Sequence, residues 1–354
     1  NLWHNYGDGD PTLTDKKPRV YYTHKIPSEA IKLLKLFCEV IEHNNFESPT
    51  KKEIIRNSRN ADVLCCFVPD CIDEEIIASC PQLRIIASCA AGHDGINVPA
   101  ATMRGIWVTI VNAETIEPTA DLTWALLLSS ARGIVPADFF VRSGDLKGWC
   151  QPPPFSGQNI FGKTLGIIGM GSLGRAIARR AVGFNMTSIY YQRHRLEVKY
   201  EQDLKIENVV LEELFKTSDF ICIATPLTDE TFHFISDKEL ALMKPTAIII
   251  NTARGSVVDE EAVAKALKEK KIAGYAADVF EMEDTHIVPR PFDVNQGLID
   301  QKSCTVLTPH LGTAVMETRL EIFKRQALCV LQVLKGEKPN GAVNDVPLKP
   351  AITG

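Results

Sequence analysis

Nowhere in the 354 residues is there an uncharged apolar run that reaches the ~20 positions a membrane-spanning helix requires, so no membrane partner is expected and a soluble chain is. Charge of one sign is equally scarce. The 39 basic and 44 acidic residues are interspersed and leave a formal net charge of -5, which gives no electrostatic footprint for nucleic acid. A small molecule is the partner this balance leaves. Internal repeats and low-complexity tracts are also missing. Cysteine is plentiful, with ten residues, yet CxxC pairs and histidines at zinc spacing are lacking, so no metal site is expected. Cys65 and Cys66 in VLCCF and Cys222 in FICIA sit inside apolar runs and read as buried free thiols. With no signal-peptide pattern at the start, a reducing, cytoplasmic setting is the expectation, and the polar opening over residues 1–18 reads as an unanchored tail.

What is present suffices for two globular cores: 45% of residues are hydrophobic and 23% charged, and the length exceeds what one core usually fills. From Arg19, short β-rich runs (RVYYTHKI, VLCCFVP, RIIASCAAG, WVTIVN) alternate with helical patterns near Ser28 to Phe37 and Asp73 to Ser79. The apolar stretch TADLTWALLLSSARGIVPADFFVRSG follows Pro118, with Thr119 placed like a helix start, and reads as a connector. Beyond it come TLGIIG, SIYYQ, FICIATP, AIIINTARG, GYAADVF and CTVLTPH, each an apolar run that ends in small or polar residues. The fold class expected is therefore α/β, with two doubly wound parallel sheets, the second a Rossmann-type dinucleotide-binding domain. A last amphipathic segment, METRLEIFKRQALCVLQVLKG, must pack on one of the two, and spacing does not say which.

TLGIIG runs directly into Gly169-Met170-Gly171-Ser172-Leu173-Gly174 and a helix, the strand-turn-helix setting in which GxGxxG is informative. Gly169 permits the tight turn, Gly171 lets a pyrophosphate approach the backbone, Gly174 allows close helix packing, and the helix N-terminus offers free N–H groups to the anion. An NAD-preferring fold places an acid about twenty residues further on. Here that strand ends in Gln192-Arg193-His194-Arg195. A neutral amide beside fixed cations suits a ribose 2′-phosphate, so NADP is the expected cofactor, with NAD also usable.

Three further segments lie at predicted strand ends: Asn251-Thr252-Ala253-Arg254-Gly255, Asp278-Val-Phe-Glu281-Met-Glu283-Asp284, and Thr308-Pro-His310-Leu-Gly312. A histidine near carboxylates and an arginine suits proton transfer coupled to oxidation or reduction of a carbonyl. Spacing alone does not choose among Glu281, Glu283 and Asp284.

With GxGxxG, ARGSVVDEEAV, DVFExE and TPH in this order, the sequence from Val20 to Asn344 resembles the D-isomer-specific 2-hydroxyacid dehydrogenases. The resemblance implies a flavodoxin-like substrate-binding domain over 19–117 and 318–354, and an NAD(P)-binding domain over 118–317. It makes Arg254 the cation that holds and polarises the substrate, His310 the general acid/base and Glu283 the carboxylate that orients it. Asp278 resembles the residue that holds the nicotinamide amide; Thr119, Thr225, Pro226, Thr252, Ala253 and Gly312 fall at cofactor positions. A homodimer is implied too, consistent with the apolar stretch from Leu122 to Phe140. Within the family, FVRSGDLKGW, RGSVVDE and GYAADVFEMED are similar to the phosphonate (phosphite) dehydrogenase branch, which puts Trp149 and Arg319 in the pocket.

The match departs from that branch in the first domain. Ala91, beside Gly92, stands where the branch has a lysine, Val68 stands where it has a methionine, and its tyrosine falls near Phe155 or Ser156. Ala91 and Gly92 offer backbone N–H groups that suit a carboxylate. The leading expectation is an NADP(H)-dependent reductase of small 2-oxo acids, reversible toward the 2-hydroxy acid. Phosphite oxidation is its rival among enzymes, and a dinucleotide-sensing, corepressor-like binding protein its rival from another class.

Overall fold

Apolar β-branched runs bounded by small or polar residues set the strands of this chain, and because helices cover both faces of each sheet those runs are apolar on both sides. The computed structural model describes residues 17–45, 47–149, 151 and 155–352; most of the opening tail, Cys150 and the prolines of QPPPF lie outside them. The chain divides into two compact units, one running to Glu114 and resuming at Met316, the other spanning Thr115–Val315.

The first unit holds five parallel strands, β1 (Arg19–Tyr22), β2 (Glu39–Glu42), β3 (Val63–Cys66), β4 (Ile85–Ser88) and β5 (Trp107–Thr109), in the order β2-β1-β3-β4-β5. One face is covered by the helices Ser28–Phe37 and Met316–Leu334, which bury Leu34, Phe323 and Val330 against Val20, Ile85 and Trp107. This settles the placement of the last amphipathic segment. Gln326 fastens it further by donating from Nε2 to the buried Ala87 carbonyl at 2.6 Å. Helices Lys51–Ser58, Glu74–Ser79 and Val98–Met103 cover the other face around Ile54, Ile76 and Ile86.

The second unit contains seven parallel strands: β6 (Thr164–Ile168), β7 (Thr187–Tyr191), β8 (Ile206–Asn208), β9 (Phe220–Ile223), β10 (Ile248–Asn251), β11 (Gly274–Ala277) and β12 (Thr305–Leu307), in the order β12-β11-β10-β9-β6-β7-β8. The order reverses between β6 and β9, so the carboxyl ends of those strands open a crevice of the kind ligands occupy in open α/β sheets.

Sequence expectation and structure part at three places. β2 and β8 are sheet edges with half-exposed sequences, EVIE and IEN, and lack the double-sided apolar run that reveals a central strand. The helix expected from Thr119 begins at Ala113 and carries Pro118 inside it. Burial of Thr115, Ala120, Trp124 and Leu127 along one helix outweighs the local cost of the proline. The helix stops at Arg132, where Gly133 turns to φ 59° before a second helix, Ile134–Arg142. The nine described cysteines are free and seven are buried, as packing thiols should be; burial holds Cys38 up at about 12.

Leu34, fully buried under the Met316–Leu334 helix, is the packing test of the first unit. Leu34→Ala should destabilise it by about 2–5 kcal/mol, read as an earlier urea transition. A shift under about 1 kcal/mol would show that this interface does not carry the unit.

Candidate active site

The glycine turn opens the second unit, and its three glycines answer to three different constraints. Gly169 has φ 91°, a left-handed conformation, and a Cβ on it would press to 2.6 Å on the Ala224 carbonyl, next to Thr225. A Cβ on Gly174 would overlap the Gly169 carbonyl, so the helix Ser172–Ala181 could not sit this close to its strand. Gly171 differs: a Cβ there meets nothing within 4 Å. Among the described residues no atom requires that glycine, whereas a pyrophosphate laid against the backbone would. Gly171 also caps the helix without any side-chain bond to its first amides, so the N–H groups of the Ser172–Leu173 turn lack a side-chain cap and the helix dipole adds to their pull on an anion. The residues fit a dinucleotide pyrophosphate.

Gln192 ties this turn to the end of β7. Its Oε1 accepts the Met170 amide at 3.0 Å and its Nε2 donates to the His194 carbonyl. Arg193 and His194 are exposed beside it, and Arg193 faces Glu230, whose carboxyl it helps lower. Arg195 is engaged elsewhere. It makes a two-pronged pair with Glu201 at 2.7 and 2.8 Å, and together with the Tyr190 hydroxyl holds that carboxyl down at about 2.

The chemical groups stand on the carboxyl ends of β10, β11 and β12. Asn251, fully buried at the end of β10, folds its side chain over the next turn: Oδ1 accepts the Ala253 amide at 3.1 Å and Nδ2 donates to the Arg254 carbonyl at 2.9 Å. Arg254 is half-buried and bonds the Ala253 carbonyl at 2.7 Å. A Cβ on Gly255 would overlap the backbone of Phe280 and Glu281, so only glycine lets the arginine turn lie against the segment after β11. That segment presents three acids with three separate jobs. Glu283 Oε2 meets His310 Nδ1 at 2.5 Å while its Oε1 accepts the Phe280 amide at 2.9 Å. Asp284 accepts the Ser256 amide at 2.8 Å, and Glu281 accepts the Glu260 amide at 2.9 Å. Of the three acids, Glu283 is the one in hydrogen-bond contact with His310.

His310 itself adopts φ 56°, which a non-glycine residue keeps only when its surroundings enforce it. Asp278 supplies the enforcement. Its buried carboxylate accepts Thr308 Oγ1 at 2.6 Å, the Leu311 amide at 2.7 Å and the Gly312 amide at 2.8 Å, and its carbonyl accepts the His310 amide at 2.9 Å. Thr119 lies alongside, within 3.1 Å of where a Gly312 Cβ would stand, and Thr252 pairs its hydroxyl with Thr123 at 2.8 Å. Pro226 is exposed after β9 and its carbonyl accepts the Thr231 hydroxyl at 2.7 Å.

Of the remaining expected pocket residues, Val68, Ala91, Gly92 and Arg319 belong to the first unit and Trp149 to the second. In the first unit Val68 follows β3, and Ala91 and Gly92 follow β4, all half-buried, with His93 exposed next to them. Arg319, on the Met316–Leu334 helix, acts on Cys89 at the root of the Ala91 loop and opposes the rise that burial gives that thiol. Trp149 is 89% exposed. Asn251 and Gly255 were not singled out from sequence; the signal was there, since a buried amide before an arginine turn and a glycine after it are both needed for the turn to close.

A Rossmann-type sheet with a phosphate-ready glycine turn, and an arginine and a histidine–carboxylate pair at its strand ends, defines a dinucleotide-dependent oxidoreductase. Comparison with known proteins agrees. Residues 124–312 match the family model described as D-isomer specific 2-hydroxyacid dehydrogenase, NAD binding domain. A glyoxylate reductase of Thermococcus litoralis is 44% identical over 332 residues, covering 93% of this chain and 97% of that one. Among solved structures, a Thermus thermophilus protein superposes with TM-score 0.84 at 35% identity, over 92% of this chain and 100% of the other. An NADPH-dependent glyoxylate/hydroxypyruvate reductase of Sinorhizobium meliloti, solved with NADP and malonate, gives TM-score 0.81 at 26% identity, over 94% and 99%. The chain belongs to the D-isomer specific 2-hydroxyacid dehydrogenase family, and it is an NAD(P)-dependent oxidoreductase.

The glycines separate stability from binding. Gly171→Ala should leave thermal stability within about 0.5 kcal/mol of the parent, since its methyl meets open space, while weakening dinucleotide binding by roughly tenfold or more. Gly174→Ala should lower Tm outright. Unchanged dinucleotide affinity in Gly171→Ala, measured by NADPH fluorescence titration, would contradict the close-approach reading.

Proposed function

We propose that this protein reduces small 2-oxo acids, with glyoxylate foremost, reversibly to the 2-hydroxy acid, D-configured where that carbon is a stereocentre. NADP(H) is the preferred dinucleotide and NAD(H) a usable one. The observation that carries the reading is the 2.5 Å contact of His310 with Glu283, beside the Arg254 turn, in a domain whose glycine turn fits a pyrophosphate. The names of the glyoxylate reductases above support the substrate class.

When bound, the reduced nicotinamide supplies a hydride to the carbonyl carbon. Arg254 holds the substrate's carboxylate and draws electron density toward its carbonyl oxygen. His310, protonated, gives that oxygen a proton from Nε2 as the alcohol forms, and Glu283, bonded to Nδ1, fixes the ring's direction and balances its charge. In the reverse direction neutral Nε2 takes the hydroxyl proton. Asp278, assigned by resemblance to the nicotinamide amide, directs three bonds to the 308–312 loop, so its part includes aiming His310. Ala91, Gly92 and Val68 supply backbone and apolar surface for the substrate, with Arg319 a second cation; Trp149 joins them as a pocket residue in this reading.

Phosphite oxidation ranks behind 2-oxo acid reduction, because the Ala91 loop lacks the lysine a doubly charged oxyanion would use. An intact Arg254, Glu283 and His310 set argues against a pure dinucleotide sensor. A cytoplasmic enzyme is the reading that the buried free thiols support. The helix Ile134–Arg142 buries none of its residues and leaves Phe139 74% exposed, which supports a homodimer closed over that apolar face. Sedimentation at micromolar concentration should give a dimer; a monomer would overturn this.

His310→Ala should cut turnover by ~10²-fold or more with NADPH affinity nearly unchanged. Turnover within about threefold of the parent would remove His310 from the chemistry. For the dinucleotide, Gln192→Glu with Arg193→Ala should invert the preference while retaining turnover with NADH. A charge-assisted contact is worth about 1.5–3 kcal/mol, and ~1.4 kcal/mol is tenfold, so about one decade is expected from an exposed arginine. Equal affinity of the unmodified protein for NADH and NADPH would contradict the preference.

A further inference from the structure

Beneath the turn that carries Glu283 lies a buried carboxyl that the proposed chemistry does not use. Glu260 opens the helix Glu260–Lys268 and is 3% exposed. Its Oε1 accepts the Glu281 amide at 2.8 Å and its Oε2 the Asn295 amide at 3.3 Å, while Glu281 Oε1 returns a bond to the Glu260 amide at 2.9 Å. This reciprocal pair laces the helix to the 3-10 turn Glu281–Glu283, the turn that presents Oε2 to His310. Gly255 lets the arginine turn press on the same backbone.

The electrostatics make this a costly tie. Glu281 and Glu283 face Glu260 from the turn, and Tyr275 from β11; on its own side stand Asp259 and Glu261. His233 stands beside Glu281 at 3.3 Å and Asp259 at 3.9 Å. Burial, followed by the charges of Glu281 and Glu283, pushes the Glu260 carboxyl up to about 7, against the amides of Glu281 and Asn295 that lower it. Stability alone would favour an apolar residue at such a position. The bond to the turn is what the acid contributes.

We propose that Glu260 is a positioning residue of this site, which fixes the 281–283 turn through the Glu281 amide and thereby the direction in which Glu283 meets His310. The inference rests on the reading of Glu283 and His310 given above. It follows that the acceptor oxygen, and not the charge, is what matters for turnover. It follows as well that Glu260 makes stability depend on pH. Its carboxyl holds a proton more tightly folded than unfolded, so its contribution is fully present below the ordinary carboxylate range and is lost as pH rises through about 7.

The test compares E260A, E260Q and E283Q, singly and combined, in the full-length protein with glyoxylate and NADPH. E260A should lose about ten- to a hundredfold in kcat, with KM for NADPH little changed, because misplacement at a distance costs rate more than cofactor binding. E260Q keeps an oxygen for the Glu281 amide and should recover kcat to within about threefold, while flattening the fall of Tm expected of the parent between about pH 5 and pH 8. In the E283Q background E260A should add little. Parent-like turnover in E260A, a loss that E260Q does not recover, or a full further loss in E283Q would each overturn the assignment. Should E260A not fold, the kcat and Tm profile of E260Q decide alone, a tenfold loss in E260Q counting against the acceptor role. If E283Q itself turns over normally, the reading of the site fails rather than the role of Glu260.

Discussion

The carboxylate of Asp278 is the constraint on which the rest of the site depends. It is buried at the end of β11 and takes three donors from the loop after β12. A buried carboxylate without partners would be costly, and this one is satisfied only if the 308–312 loop closes over it in one geometry. Closing that loop drives His310 into left-handed backbone, a conformation that costs about 1–3 kcal/mol where nothing enforces it. The strain at the histidine is thus offset at the neighbouring strand end. Freed from that clamp, the loop could relax and the 2.5 Å contact with Glu283 would be lost.

The same logic runs through the neighbouring turns. Asn251 holds the Arg254 turn from beneath, Gly255 allows it to touch the next segment, and Glu260 and Glu281 lace that segment to a helix. Three turns from three adjacent strands are therefore each tied by one buried polar side chain, and the tie reaches backbone amides rather than the reacting side chains. Side chains held in this way lose little further entropy when they act, which is the physical content of preorganisation.

Much of this was legible in the sequence, and the parts that were not share a cause. Central strands such as IIIN and FICI announce themselves because both faces are buried; the edges β2 and β8 are only partly buried and offer no continuous apolar run to read. Gly169 and Gly174 each meet a separate local demand of the protein, while Gly171 sits in open space at the turn. Arg195 read as a phosphate cation along with Arg193, but its partner Glu201 lies on the next helix, and no local pattern reveals a pairing across a loop. Spacing likewise could not choose among Glu281, Glu283 and Asp284, since the choice depends on where β12 delivers His310. Pro118 misled because a proline marks a helix start only when nothing upstream is buried with it.

The central claim is that the Glu283–His310 pair delivers a proton in step with hydride transfer to a 2-oxo acid. The direct measurement is a single turnover of glyoxylate with NADPH, followed by stopped-flow absorbance in H2O and in D2O, with NADPH carrying protium or deuterium at the transferred position. The account predicts that both substitutions slow the same step in the parent protein and that E283Q slows that step further. A parent protein that consumes NADPH with glyoxylate at a rate indifferent to solvent deuterium and to E283Q, or that consumes none, would contradict it.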